Sequence, residues 1–230
     1  MIPTQAIPPF TRAALEILFE KSNFASFQKA GFKSHYWAPL LSAFSGTSRN
    51  EIFYLTPEDV FLKYDIWIIQ TNASGSMNAQ SGSRVRDIPM HPTLKRLGFF
   101  EFVQGRRQTH PNERLFSEYK ASQEHAGMVF SRSFVHWIKT TVNQLPDDRK
   151  NVFEEDFHFP SLRALFSVEA IRSGMSQRTF GKLHGISHRL RRAFDEDQER
   201  RDLERAEVEM RRMDIESSFP ALYTYEDLLA

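Results

Sequence analysis

The 230-residue sequence contains no cysteine. Disulfide bonds, thiolate zinc sites and a cysteine nucleophile are therefore excluded, and a reducing cytoplasm is the expected compartment. The sequence also lacks an apolar run near the roughly 18 residues that a membrane-spanning helix needs, so no membrane partner is expected. Residues 1–5 have neither the basic start nor the apolar core of a secretory signal.

A surplus of charge of either sign is also missing, because 30 basic residues offset 29 acidic ones and leave a formal net charge of +1. The overall basicity of many DNA-binding domains is thus absent. The charge is instead distributed unevenly. Residues 178–192 carry five basic side chains, two histidines and no acid, whereas acidic residues gather on either side. Such a stretch is typical of a phosphate-binding surface or of a solvated face.

A hydrophobic content of 40% and a charged content of 26% are ordinary for a soluble globular domain. Apolar periodicity and capping residues predict helices over residues 9–22, 35–44, 49–55, 92–103, 130–145, 160–173, 176–184 and 189–213. Strands are expected at 60–62, 66–70 and 84–89, with polar loops at 71–83 and 105–112. Thr11 is a candidate N-cap, and Pro39 is tolerable only in the first turn of its helix. The predicted fold is mainly α with a small antiparallel β-sheet (α+β).

Five segments, in order along the chain, are similar to motifs of one enzyme family. Residues 35–52 resemble a helix that ends in Thr-Gly-x-Arg-x-x-Glu, and residues 55–60 resemble the Leu-x-x-x-Asp-Ile that follows it. Residues 83–92 resemble the strand motif Ser-x-Arg-x-Val-Pro-Leu-His. Residues 161–163 resemble the core of His-x-Leu-Arg-His, and residues 183–187 resemble Leu-Leu-Gly-His-Ser. The family is that of the tyrosine recombinases, or phage integrases.

The resemblance covers roughly residues 9–229 and implies the fold of the family's catalytic domain, with double-stranded DNA as the partner. It predicts an integrase-like unit over residues 1–195, followed by a charged helix and an apolar tail over residues 196–230. The family's separate N-terminal domain, which clamps the other side of the DNA, has no counterpart in the sequence. We therefore expect a half-clamp, that is, a protein that contacts the DNA from one side only.

The family's chemistry needs two arginines and a histidine or similar donor on the scissile phosphate, a lysine for the leaving oxygen and a tyrosine nucleophile. Carried over motif by motif, these catalytic positions are occupied, in chain order, by Ser48, Gln80, Pro160, Arg163, Ile186 and Asp195. Of these, only Arg163 matches the family, and Asp195 cannot replace the tyrosine. The position after Arg163, often a second histidine, is Ala164. We therefore expect a protein that cannot cut DNA.

DNA binding is the property of the scaffold that would survive this loss. The residues that we expect to contact phosphate are Arg163, Lys182, Arg178, Arg84, Arg86 and Arg49. Arg49 is displaced by one residue from the first arginine position, and one residue rotates a helical side chain by about 100°. Each arginine could instead form an ordinary surface ion pair, and Arg86 could be a structural strand residue.

Two histidines one helical turn apart, His184 and His188, have a spacing that can hold zinc. The glycine between them and the lack of a third ligand argue against a metal site, so we expect two solvent-facing histidines and no metal or cofactor. The alternating charges of residues 189–213 predict a solvated helix with ion pairs along it.

The apolar C-terminal tail has two alternative roles. It could dock on a neighbouring subunit and form a homo-oligomer through Leu222, Tyr225, Leu228 and Leu229, or it could fold back on its own core. Tyr223 or Tyr225 could also replace the missing nucleophile by swinging in, although their apolar neighbours favour packing.

Three functions remain open at this point. The first is a catalytically inactive DNA-binding protein, such as a transcriptional regulator or repressor from a phage or mobile element, located in the cytoplasm at the nucleoid. The second is a protein-interaction module that modulates an active recombinase or another partner. The third is a recombinase with relocated catalytic residues.

Overall fold

The computed structural model describes residues 7–28, 31–71, 85–119, 123–185, 196–220, 222–224 and 227. Within this part of the chain, eleven α-helices accompany one three-stranded antiparallel sheet, which confirms the predicted fold class. The helices are α1 (Arg12–Leu18), α2 (Lys21–Phe27), α3 (Lys33–Ser45), α4 (Arg49–Tyr54), α5 (Pro92–Arg96), α6 (Phe99–Thr109), α7 (Gln123–Gln144), α8 (Asp147–Lys150), α9 (Phe159–Arg172), α10 (Gln177–His184) and α11 (Glu196–Arg211).

The sheet consists of β1 (Val60–Lys63), β2 (Ile66–Thr71) and β3 (Arg86–Pro89), in that order. Tyr64 and Asp65 connect β1 to β2, and both have a positive φ, 51° and 61°. Positive φ at both central residues is the mark of a type I′ hairpin turn, whose twist matches that of the flanking strands.

Both faces of the sheet pack against other elements. Ile69 pairs with Val60 and Ile88, and all three contribute to the main hydrophobic core. Ile68 points to the opposite face, because side chains alternate along a strand, and it packs with Leu203 of α11. The sheet therefore lies between the core and α11.

Two predicted helices are each divided in the structure. The first, expected over 9–22, becomes α1 and α2, although Thr11 does cap α1, its Oγ1 accepting from the N–H of Ala14 at 3.2 Å. The second, expected over 92–103, becomes α5 and α6 because Gly98 takes a φ of 89° between them. Helix α6 then continues to Thr109, so the prediction of a loop over 105–112 was wrong for its first half.

Helix α3 is almost completely buried and packs on α9. Pro39 lies in its middle, not in its first turn, so the expectation for this proline was wrong. A proline has no N–H, which leaves the carbonyl of His35 without its helical donor. The side-chain amide of Gln28 lies 3.5 Å from that oxygen and supplies a substitute donor.

The core is rich in aromatic rings and joins the two ends of the described chain. Phe219 packs edge-on against Phe19, with 4.8 Å between the ring centroids, and stacks on Phe44 at 5.5 Å. The Tyr36 hydroxyl donates to the backbone oxygen of Tyr223 at 2.6 Å. The segment after α11 therefore folds back on its own chain as far as residue 223.

Candidate functional site

Four positions singled out from the motifs lie together in space. Ser48, Pro160, Arg163 and Ala164 line one cleft of about 380 Å³. Ser48 precedes α4, and the other three lie on α9, so the packing of α3 against α9 brings the two segments together. The cleft walls also include Ile7 and other apolar groups. Of the six predicted catalytic positions, the three that the structure describes therefore lie in one cleft.

Ser48 has a structural task in this cleft. It is the N-cap of α4: its Oγ accepts from the N–H of Glu51 at 3.4 Å, and its own N–H donates to Glu51 Oε2 at 2.7 Å. This reciprocal capping box satisfies two backbone donors at the helix start. The side chain of Ser48 is therefore committed to capping α4.

Arg86 of β3 forms a buried ion pair with Glu51, their side chains being 4% and 13% exposed. Burial works against the charge on Glu51, but Arg86 and the hydrogen bonds from Ser48 outweigh it and lower the pKa of Glu51. Arg86 also packs against Gly185, where an added Cβ would lie 3.2 Å from Arg86 Cδ. The structure thus places Arg86 inside the protein, between Glu51 and Gly185.

Arg163 lies next to this ion pair and donates from Nη2 to the backbone oxygen of His184 at 3.2 Å. Burial lowers the pKa of Arg163; Glu51 opposes this and Arg86 adds to it. An arginine with a pKa somewhat below its usual value stays charged at neutral pH.

His184 does not face solvent, so that expectation was wrong. Its ring stacks on Phe180 at 4.0 Å, and its Nε2 lies 2.7 Å from the hydroxyl of Ser167. Burial, with the nearby positive charges of Arg163 and Arg86, lowers the pKa of His184 to about 4. The imidazole is therefore neutral at pH 7. The polar cluster of Glu51, Arg86, Arg163 and His184 consequently holds two cations and one anion.

Arg49 turns toward α7 although it also lines the cleft. Its Nη1 donates to Ser131 Oγ at 3.3 Å, and its aliphatic stem lies against Gly127, where an added Cβ would be 3.1 Å from Arg49 Cγ. Arg49, which is displaced by one residue from the arginine position that the motif predicts, therefore has a partner on α7.

Lys182 and Arg178, one turn apart on α10, both donate to one carboxylate of α11, Asp202. The Arg178 contact measures 2.9 Å, and the Asp202 side chain is 8% exposed. Burial works against its charge, but the hydrogen bonds from Lys182 and Arg178 outweigh it and lower the pKa of Asp202. Sequence reasoning missed Asp202, because one acid in a charged helix carries no signal of its own.

Helix α11 is solvated on one side only. Exposed ion pairs of the expected kind join Arg200 to Glu204 at 2.9 Å and Arg211 to Glu207 at 2.7 Å. On the other side, Glu199 accepts from Lys63 at 2.9 Å. The prediction of a solvated helix was therefore correct for the outer face and wrong for the inner one.

The remaining predicted residues are distributed as follows. Leu222 and Tyr223 pack against the core of their own chain. The centroid of the Tyr223 ring lies 5.6 Å from the Lys21 ammonium group. Among the described residues, no tyrosine and no lysine lines the cleft. Outside the described residues lie Gln80, Arg84, Ile186, His188, Asp195, Tyr225, Leu228 and Leu229.

Two further classes of site are absent from the described ranges. Over residues 7–224, apart from the gaps given above, no three metal-ligating histidines or carboxylates cluster as a metal ion would require. In the same part of the chain, no helix combines the length and the apolar character needed to cross a membrane.

No family model matches the sequence, and no curated protein matches it. Among solved structures, the integrase from mycobacterium phage Brujita is similar to all of this chain, with a TM-score of 0.51 and 15% identity. This chain spans 64% of the length of that integrase. The Tn1549 transposon integrase, solved with transposon right end DNA, has a TM-score of 0.46 and 20% identity over 88% of this chain and 67% of that one. The likeness to the Brujita protein agrees with the order of the motifs, and this chain has an integrase-like fold.

Proposed function

We propose that this protein binds double-stranded DNA without cutting it and acts as a regulator encoded by a phage or mobile element. The observation that carries the proposal is the cleft, where Ser48, Pro160 and Ala164 stand with Arg163 at positions that the motifs assign to catalysis. A proline and an alanine can neither donate to a phosphate nor move a proton. The side chain of Ser48 already caps α4.

Loss of the reaction follows from the size of the missing contributions. Removal of a single donor that stabilises the transition state costs about 10²–10³ in rate. Three such donors are replaced here at Ser48, Pro160 and Ala164. The described tyrosine nearest the C-terminus, Tyr223, is held by Tyr36 and Lys21 away from the cleft.

Retention of phosphate binding is supported by the charge of the cluster around Arg163, which lines the cleft. Arg86 and Arg163 face a single carboxylate, Glu51, and His184 is neutral. The cluster therefore has an unbalanced positive charge in a place of low dielectric, which attracts anions more strongly than a solvated arginine does. Arg163 supplies the contact, and the nearby charge of Arg86 adds to the attraction.

The test is a DNA-binding titration over a salt series, with labelled fragments of the locus that encodes the protein. We expect binding that weakens with salt and differs between fragments. Arg163→Ala should weaken it and reduce the slope of log K against log salt by about one. Arg149→Ala, which removes an exposed arginine on α8, is the matched control. Lys182→Ala, at a more exposed site, serves if Arg163→Ala does not fold.

Three results would count against the proposal. No complex with any fragment at low salt would remove DNA binding. A covalent adduct on a nicked suicide substrate would remove the claim that the protein does not cut. Equal effects of the Arg163 and Arg149 substitutions would exclude the cleft from the contact surface.

A further inference from the structure

Helix α11 turns three carboxylates toward the body of the protein. Glu199, Asp202 and Glu209 share one face of the helix, which is here called the acidic face. Helical spacing explains this, because residues three or four apart, or close to multiples of 3.6, lie on one side. The outer carboxylates, Glu204 and Glu207, pair instead with arginines of α11 itself.

Each carboxylate of the acidic face has partners on another element. Glu199 accepts from Lys63 of β1 at 2.9 Å and from the Tyr64 hydroxyl at 3.2 Å. Asp202 accepts from Arg178 and Lys182 of α10. Glu209 accepts from the N–H of Ser176 at 3.1 Å, at the start of α10. Helix α11 thus runs antiparallel to α10, with its acids along the cationic edge.

The cations held in this way are still reachable from solvent. The side chains of Arg178 and Lys182 are 47% and 45% exposed, and that of Lys63 is 26% exposed. A groove of about 340 Å³ runs between β3, α10 and α11, and its walls include Lys63, Lys182, Glu199 and Asp202. An anion that enters this groove meets lysines whose charge is already matched by carboxylates.

The two halves of α11 differ in how they are attached. The N-terminal half is anchored by Leu203, in a small cluster with Ile66 and Ile68 of β2. The C-terminal half is anchored by Met210, and the residues after it by Met213 and Ile215, in the main core. The half that carries Glu199 and Asp202 is therefore held by one leucine of this small cluster and by the polar contacts of its two carboxylates, whereas the other half leads into the main core.

We propose that the acidic face of α11 occupies the position of DNA phosphates on Lys63, Arg178 and Lys182. It thereby lowers the affinity for DNA until the N-terminal half of the helix moves away. The inference rests on the proposed function, because it assigns these three cations to the DNA-contact surface. A carboxylate that accepts from two cationic donors imitates a phosphate in charge and geometry. DNA has to displace it, and the cost of displacement lowers the affinity.

The test compares two variants with the same change in net charge. Glu199→Gln with Asp202→Asn neutralises the acidic face. Glu204→Gln with Glu207→Gln neutralises two outer carboxylates of the same helix. We expect the first variant to bind DNA about tenfold or more tighter than the second, a typical size for coupling within one protein. For the first variant, the slope of log K against log salt should be steeper by the equivalent of about two phosphate contacts.

Retention on immobilised heparin, a polyanion without base pairs, is measured beside DNA binding and separates the two proposals. Tighter binding of the first variant to both heparin and DNA supports the inference. Tighter binding to heparin with no DNA binding by any form supports the acidic face but overturns the proposed function. Equal binding of the two variants to heparin and DNA overturns the inference and leaves the proposed function standing. Glu199→Gln alone, with its smaller expected gain, serves if the double variant does not fold.

Discussion

Replacing Glu51 by glutamine removes one charge from the buried cluster with little change in shape. The amide oxygen of glutamine can still accept from the N–H of Ser48, so the cap of α4 is kept. The substitution leaves Arg86, which is 4% exposed, without its counter-charge and beside the second cation, Arg163. Breaking a buried ion pair by removing one partner costs about 3–5 kcal/mol. We expect the free energy of unfolding at pH 7 to fall by that amount.

The cost should depend on pH in a defined direction. The folded-state pKa of Glu51 is lowered, so its charge contributes stability above the unfolded pKa of about 4.3. That contribution is lost as the pH falls through the folded value. The difference between wild type and Glu51→Gln should therefore be full at pH 7 and shrink as the pH falls below the unfolded pKa of about 4.3 toward the lower folded pKa of Glu51.

Urea unfolding at pH 7 and at several pH values below 4.5, followed by circular dichroism, measures both effects. Glu16→Gln is the matched control, because Glu16 pairs with Arg12 on the exposed side of α1. An exposed pair of this kind is worth less than about 1 kcal/mol. A Glu51→Gln cost as small as that of the control, or one that is the same at pH 7 and pH 3.5, would refute the reasoning.

Two further predictions concern a glycine and a pair of histidines. Gly46→Ala should lower the free energy of unfolding by about 2–4 kcal/mol, because φ is +65° and the new Cβ would lie 2.7 Å from the Phe166 ring. Gly174→Ala is the control: its φ is +73° and the space around it is open, so it should cost only the backbone strain of about 1–2 kcal/mol. Similar urea midpoints for the two variants would exclude a contribution from the clash with Phe166. Burial lowers the pKa of His91 and His184 to about 4 in the folded protein. The free energy of unfolding should therefore fall as the pH drops from about 6.5 toward 4, because the unfolded chain takes up protons there that the folded one does not. Assigned NMR signals of the His91 and His184 imidazoles that titrate near 6.5 in the folded protein would contradict this.

The sequence predicts well where the physical cause is local. The N-cap at Thr11, the β-branched strands and the amphipathic stripe of α7 depend on neighbours within a few residues, and the structure has all of them. The motif order also predicts the convergence of Ser48 and Arg163 in one cleft, because it carries information about the whole fold.

Other features depend on partners that are distant in sequence. The substitute donor for the broken turn at Pro39 is Gln28, from the preceding helix, and no pattern within α3 announces it. The hairpin at Tyr64 and Asp65 has positive φ without glycine or asparagine, so its turn chemistry gives little signal. The inner carboxylates of α11 gain their cationic partners only because α10 lies against them, and the order of charges along one helix cannot show this.

The contact of Phe19 with Phe219 has a consequence for the synthesis of the protein. About 200 residues separate the two rings, and the second closes a part of the core that the first helices begin. At the usual pace of translation, roughly 10–40 s pass between the appearance of these two residues. During that interval the apolar side of α1 leaves the ribosome without its final partner and is open to chaperones. This part of the core is therefore completed only once residue 219 has been synthesised, and we expect a nascent chain stalled before that point to be more sensitive to proteolysis.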